Sequence, residues 1–157
     1  MALVGAEGGP FTVAAFFDPE GDRVLTTAIG GACSVRSSRT GVAHVILLGH
    51  DGAVTSAAWS PSGDLIATAS EDASVKVWAA DLGECIRTLR AAPVQVGIAL
   101  RGVWWAEEER LWACAADGRV LLWNLPDERV FLEFDGQLGP LTAITSTATA
   151  IAEMADA

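Results

Sequence analysis

Four residues of this 157-residue chain have the chemistry to form one linked site: His50, Ser70, Asp72 and Trp78. A hydroxyl, an imidazole and a carboxylate are the ingredients of nucleophilic hydrolysis, in which the ring takes the hydroxyl proton and the carboxylate orients the ring. On that reading Ser70 is the nucleophile, His50 the base and Asp72 the orienting group. The same residues serve another end if they are buried. A buried indole N–H requires an acceptor; a hydroxyl accepts it and donates onward to an imidazole, whose far nitrogen reaches a carboxylate. Neither an oxyanion-binding loop nor a nucleophile elbow accompanies the set, which favours the second use.

Other chemistries find less support. Only His44 and His50 are available as imidazole ligands, and Cys33, Cys85 and Cys114 stand alone with no CxxC spacing, so no metal site is expected. The three cysteines read as small buried residues of a reducing compartment. No glycine-rich phosphate loop leads into a helix, and no cofactor is expected; Gly30-Gly31 fits a tight turn. The formal net charge is −10 and Lys76 is the only lysine, which excludes the clustered cations that nucleic acid needs and tolerates basic protein partners. With 51% hydrophobic and 19% charged residues the chain has the makings of one packed domain rather than a disordered segment. The N-terminal MALVGAEGGPF has no basic region and breaks early at Gly-Gly-Pro, so no signal peptide is expected. The apolar stretches are interrupted, as by Arg101, and none is expected to span a membrane. The expected setting is intracellular, cytoplasmic or nuclear.

The elements that must position the four residues are strands. Between Gly49 and Trp78 an apolar run ends in Trp59, the turn Ser60-Pro61-Ser62-Gly63-Asp64 follows, and Leu65 to Ser70 form a second run. The polar turn Glu71-Asp72-Ala73-Ser74 then leads into Val75-Lys76-Val77-Trp78. Short apolar runs punctuated by Pro, Gly and Asp are consecutive antiparallel strands. The pattern recurs. Phe17-Asp18-Pro19-Glu20-Gly21-Asp22 matches Trp59 to Asp64 at an offset of 42, which also sets Arg36 over Trp78 and Gly30 over Asp72. At an offset of 45, Trp104 falls over Trp59, Asp117 over Asp72 and Trp123 over Trp78, while Glu107-Glu108-Glu109-Arg110 replaces the Pro-Gly turn as a solvated hairpin tip. Asp81, Glu84, Asp127 and Glu128 are expected in solvated turns. Runs at His44–Leu48, Cys85–Leu89 and Val130–Phe134 supply a fourth strand to each copy.

Self-similarity near 40 residues with four strands per copy is the signature of propeller blades. The opening Gly49-His50, the central Trp59 to Asp64, Ser70 with Asp72, and the closing Trp78 resemble one unit of the WD-repeat family, although Trp78-Ala79 lacks the second half of the Trp-Asp pair. The resemblance implies an all-β, partial propeller of about three four-stranded antiparallel blades, a fragment or one part of a larger ring. It implies a propeller segment over 8–145, in units of about 8–48, 49–90 and 91–134 with a remnant at 135–145, and leaves an Ala/Thr-rich tail at 146–157 open. It implies that His50, Ser70, Asp72 and Trp78 form a buried structural tetrad, and that Asp117 and Trp123 keep part of a second. It further implies a non-catalytic scaffold that binds a protein or peptide through inter-strand loops. By position that surface includes Asp51, Ala53, Glu71, Ile29, Phe11 and Ala116. Trp105 is set either in the packing between blades or on the surface as an aromatic anchor. Two other outcomes remain: hydrolysis by Ser70, His50 and Asp72, or an assembly segment that self-associates or is completed by further blades.

Overall fold

The computed structural model describes residues 12–28, 32–90 and 98–134. They form three four-stranded antiparallel sheets, each a meander in chain order. The first holds β1 (Thr12–Phe17), β2 (Arg23–Ala28), β3 (Cys33–Ser37) and β4 (Ala43–Leu47). The second holds β5 (Val54–Trp59), β6 (Leu65–Ser70), β7 (Val75–Ala79) and β8 (Cys85–Leu89); the third holds β9 (Leu100–Glu107), β10 (Arg110–Ala115), β11 (Val120–Asn124) and β12 (Arg129–Phe134). No helix occurs among the described residues. Phe11, Ile29, the Gly30-Gly31 turn, the 135–145 remnant and the 146–157 tail lie outside them.

The repeat extends to hydrogen bonds. In the β1–β2 hairpin Asp18 N donates to Arg23 O at 3.0 Å and Gly21 N to Asp18 O at 3.1 Å; in β5–β6, Ser60 N donates to Leu65 O at 2.9 Å and Gly63 N to Ser60 O at 3.0 Å. Gly21 and Gly63 have φ of 81° and 79°, the left-handed conformation that the Pro-x-Gly turn demands. The third hairpin is tighter. Trp59 faces Ile66 across seven positions of chain, whereas Trp105 faces Leu111 across six. The structural counterpart of Trp59 is therefore Trp105, not Trp104. A constant offset misses this because the Glu108-Glu109 tip is one residue shorter than the turn it replaces. That tip is exposed, but Glu108 also accepts hydrogen bonds from Ser62 N at 3.2 Å and Ser62 Oγ at 2.5 Å.

The sheets stack face to face. Leu25, Val35 and Leu47 of the first meet Ala57, Trp59 and Ile66 of the second. Ala67, Val75 and Val77, on the opposite face of the second sheet, meet Val103, Leu111 and Trp123 of the third. Strand alternation lets the middle sheet bury both faces. The polar end of each aromatic is accommodated at these junctions: Trp59 Nε1 donates to Phe16 O at 3.0 Å and Trp105 Nε1 to Ala58 O at 3.2 Å. Trp105 is thereby a packed junction residue and not a surface anchor. Trp104 points to the other face and stacks on Trp112 at 6.1 Å. Phe17 holds the Trp59 position in the first sheet and is 66% exposed.

Arg23 ties the first two sheets laterally. Its guanidinium donates to Asp18 Oδ2, Asp81 Oδ1 and Gly63 O, each at 2.8 Å, and lies 4.8 Å from the Trp59 ring centre. Of the turn residues expected in solvent, Asp81 is thus exposed but paired, and Asp127 accepts from Asn124 Nδ2 at 2.9 Å. Cys33 and Cys114 are buried as expected, whereas Cys85 is exposed. It lies on β8, the edge strand of its sheet, where no further strand covers it. Burial pushes the Cys33 thiol up to about 12 and raises that of Cys114.

Candidate functional site: the polar network of the second sheet

Strand β6 and the turns at its end bring His50, Thr68, Asp72 and Trp78 together. Trp78 pairs across the ladder with Ile66 and Lys76 with Thr68, so the indole lies on the face that Ile66, Thr68 and Ser70 share. Trp78 Nε1 donates to Thr68 Oγ1 at 2.8 Å, and His50 Nε2 lies 2.7 Å from the same oxygen. His50 Nδ1 lies 2.8 Å from Asp72 Oδ2. The hydroxyl of the network is therefore Thr68, which the sequence reading missed, and not Ser70. Thr68 is one same-face step, about 6.7 Å, from the residue opposite Trp78, and Ser70 is two steps away. Ser70 Oγ instead accepts from Asp72 N at 3.1 Å and shapes the turn. The signal in the sequence was a β-branched hydroxyl in mid-strand, four residues before the turn aspartate.

Asp72 is the hub. Its Oδ1 accepts from Ser74 Oγ at 2.6 Å and Ser74 N at 2.9 Å; its Oδ2 accepts from His50 and from Asp51 N at 3.0 Å. Burial alone would raise its pKa, but the hydrogen bonds from Ser74, His50 and Asp51 N outweigh it and hold the carboxyl at about 2. For His50 burial dominates over the attraction of Asp72 and lowers the pKa, leaving the ring neutral at physiological pH. An ionised Asp72 can only accept, so Nδ1 carries the proton and Nε2 accepts from Thr68. The proton order runs Trp78 N–H to Thr68, Thr68 O–H to His50 and His50 N–H to Asp72.

Close backbone approach seals the site. A Cβ on Gly52 would sit 2.8 Å from Asp72 N, and Gly49, at φ 140°, would place one 3.6 Å from the Trp78 ring. The side chains of His50 and Asp72 are 1% and 7% exposed, and Thr68 is fully buried. Thr68, His50 and Asp72 thus share the hydrogen-bond order of a catalytic triad, but the hydroxyl oxygen already accepts the indole N–H and no substrate reaches it. Ser70, the proposed nucleophile, makes no hydrogen bond to His50.

The neighbouring sheets depart from this arrangement. In the third, Ala113 holds the Thr68 place opposite Leu121, and among the described residues the buried Trp123 Nε1 has no hydrogen-bond partner. Asp117 turns to its own loop and accepts from Arg119 N at 3.2 Å and Arg119 Nε at 2.7 Å. Asp117 and Trp123 therefore occupy equivalent positions without joining into a network. In the first sheet Arg36 stands where Trp78 does and donates to Ser34 Oγ and to Gly41 O, each at 3.1 Å.

Of the loop residues expected on a partner surface, Asp51, Ala53, Glu71 and Ala116 lie beside the start of β5, the end of β6 and the end of β10, at the same end of their sheets. Glu71 N donates to Ala53 O at 3.0 Å and Ala116 N to Ala99 O at 2.9 Å. Asp51 and Glu71 are exposed, and Ala53 and Ala116 half-buried; Glu71 also lies 3.6 Å from Arg101 Nη1. Among the described residues no His, Cys, Asp and Glu group could hold a metal ion, and no helix is long and apolar enough to cross a membrane.

Sheets of four antiparallel strands stacked face to face, one laced by an indole–hydroxyl–imidazole–carboxylate chain, define a partial β-propeller. Residues 41–79, which hold the whole network, match the WD domain, G-beta repeat family. The chain is 32% identical over 81 residues to the WD repeat-containing protein AAC3 of Dictyostelium discoideum, covering 51% of this chain and 16% of that protein. It is 38% identical over 74 residues to the transcriptional corepressor LEUNIG_HOMOLOG of Arabidopsis thaliana, covering 46% and 9%. With the ribosome biogenesis protein BOP1 homolog of Aedes aegypti it shares 34% over 83 residues, covering 52% and 9%. Residues 41–79 thus carry a unit similar to those of WD-repeat proteins, and the chain spans less than a fifth of the length of these relatives.

Proposed function

We propose that this chain is a non-catalytic protein-interaction scaffold, binding a protein or peptide at the end of the blades where the β5 and β9 approaches meet the β6–β7 and β10–β11 turns. The observation that carries the reading is the placing of Asp51, Ala53, Glu71 and Ala116 at that end, with the Glu71–Ala53 and Ala116–Ala99 main-chain bonds closing the loops of each blade and Arg101 lying 3.6 Å from Glu71 between them. Stacked sheets hold such loops rigid, so little ordering free energy opposes binding. The exposed Asp51 and Glu71, in a chain of net charge −10, favour a basic partner. The similarity to a transcriptional corepressor and a ribosome biogenesis protein favours an intracellular setting. The test is to change Asp51 and Glu71 together to Lys and repeat a pull-down. Recovery of partners should fall; unchanged recovery counts against this face. Absence of catalysis is supported by the buried, already bonded Thr68 hydroxyl, and a serine-reactive fluorophosphonate should leave Ser70 and Thr68 unlabelled.

A second reading has its own support. Trp59 and Trp105 are packed in blade junctions, while their counterpart Phe17 is 66% exposed, with Ile46 59% exposed on the same sheet. An apolar blade face of this kind favours self-association or pairing with further blades over the propeller segment 8–145. Size exclusion with light scattering should then show oligomers or larger assemblies; a stable monodisperse monomer defeats this reading.

A further inference from the structure

The first strand of each sheet carries one extra residue near its start. Ser70 and Ala69 are adjacent on β6 but face Val54 and Ser56, which leaves Thr55 as a bulge. Ala115 and Cys114 likewise face Leu100 and Gly102, which leaves Arg101. A bulge breaks the strand alternation and re-aims the side chain it carries. Thr55 turns into the junction with the third sheet, its Oγ1 3.2 Å from Ala69 O and 2.5 Å from Leu100 O. Arg101, at the same place one sheet on, reaches back over that junction. Its Nη1 lies 3.6 Å from Glu71 Oε1, and both side chains are 49% exposed. That separation is an ion contact beyond hydrogen-bond reach, so the Glu71 oxygens keep their acceptor capacity. Arg90, at the same end, is directed to Asp72 O instead, at 3.3 Å.

We propose that the Arg101–Glu71 contact is autoinhibitory: the bulge holds a cation of the chain itself where an arginine of the partner binds. The inference rests on the reading of this end as the face for a basic partner. A partner guanidinium can set two N–H donors on one carboxylate, a stronger arrangement than the contact it displaces. Two exposed charges gain little by pairing in water, so Arg101 yields rather than blocks. Its effect is a threshold. A lone cation gains little by exchange with Arg101, whereas an arginine-bearing segment that also reaches the exposed Asp51 gains a second pair.

The experiment follows a fluorescein-labelled hexa-arginine peptide by anisotropy at about 0.15 M ionic strength. Arg101→Gln should bind it about two- to fivefold tighter than Arg87→Gln does, the gain expected from removing one exposed ion pair. The control is matched: it removes the same charge and frees Glu128, which Arg87 contacts at 3.3 Å on the outer edge of the blades. Adding Glu71→Gln to both should abolish the difference. If the glutamine variant at 101 fails to fold, Arg101→Met keeps the apolar stem and removes the same charge. Equal affinities for the folded Arg101 and Arg87 variants overturn the proposal, and so does a difference that persists without the Glu71 carboxylate. Changing Asp51 and Glu71 together to Lys separates the two levels. If that variant binds the peptide as the native protein does, the face itself fails and the inference with it. If it binds more weakly while the two arginine variants agree, the inference alone fails.

Discussion

Trp78 and Trp123 stand at the same register position in adjacent blades, and each is 1% exposed. One indole starts a four-residue hydrogen-bond chain and the other has no partner among the described residues. The second blade spends three polar side chains on satisfying a buried donor and in doing so ties β6, the β6–β7 turn and the approach to β5 together. The third blade keeps the aromatic and replaces the hydroxyl by Ala113, so its junction rests on apolar contact with Ala67, Val75 and Val77. The difference separates two uses of the same ring: apolar area is what stacks the blades, and the polar chain is what fixes the loops at one end of the blade. Loss of the chain leaves the sheet intact, since β9 to β12 pair in the same order as β5 to β8.

The sharpest way to break the comparison is at the hub carboxylate. Asp72→Ala strands the His50 N–H and the Ser74 hydroxyl in a buried site and should destabilise the protein by roughly 3–5 kcal/mol. Asp117→Ala, whose side chain is 33% exposed and paired only within its own turn, should cost at most about 1 kcal/mol. For a chain of this length the first corresponds to a fall of roughly 10 °C in melting temperature, readable by calorimetry. Equal effects from the two aspartates would mean that the second blade is not held by its network.

The hydroxyl comes next. Thr68→Val keeps shape while leaving both the Trp78 N–H and His50 Nε2 unpaired, at a cost of about 2–4 kcal/mol. Ser70→Ala loses one hydrogen bond to Asp72 N and should cost about 1 kcal/mol. Chemical denaturation of the two variants decides the identity of the network hydroxyl, because a larger effect at Ser70 would reverse the order.

Those two residues also mark what could and could not be read from the chain. Strand positions were legible because turn chemistry punctuates them: Pro61-Ser62-Gly63-Asp64 and its copy at Pro19 build hairpins with the same hydrogen bonds. The polar network was legible as a set of residue types, since a strand tryptophan near a His and a turn Asp leaves few other uses for them. Which hydroxyl joins it was not, because Thr68 and Ser70 share a face and only pairing register sets the indole nearer to Thr68. The same limit displaced Trp59's counterpart from Trp105 to Trp104, where a hairpin one residue shorter changes every facing pair. Cys85 was read as buried because its apolar setting says nothing about its place on an edge strand.

Acid titration probes the charged end of the second-blade network. The folded pKa of His50 is lowered, so the unfolded chain binds its proton first, and stability is lost as pH falls below about 6.5. Asp72 moves from 3.8 to about 2, so its contribution, about 2 kcal/mol, is present above pH 4 and lost as pH falls toward 2. Both act in the same direction. Stability curves of the native protein should therefore decline in two stages on acidification, and Asp72→Asn should shrink the lower one to the part contributed by Asp18, whose carboxyl, despite burial, Arg23 also holds below its ordinary value. An identical acid profile in that variant would detach the carboxylate from the network.

The smallest effect is a gain. Ala73 has φ 64°, while its counterpart in the third blade, Gly118, has φ 93°. The left-handed conformation penalises a Cβ by about 1–2 kcal/mol, partly offset by the greater freedom of glycine in the unfolded chain. Ala73→Gly should therefore stabilise the protein by about 0.5–1 kcal/mol, and Gly118→Ala should destabilise it by about 1 kcal/mol. Ala73 precedes Ser74, whose N–H and hydroxyl both bind Asp72, so the second blade carries backbone strain at the turn that presents its hub carboxylate. If Ala73→Gly lowers the melting temperature, the alanine contributes more through its place beside Leu121 and Trp123 of the third blade than it costs in the turn. The two blades would then be coupled at that point rather than independent.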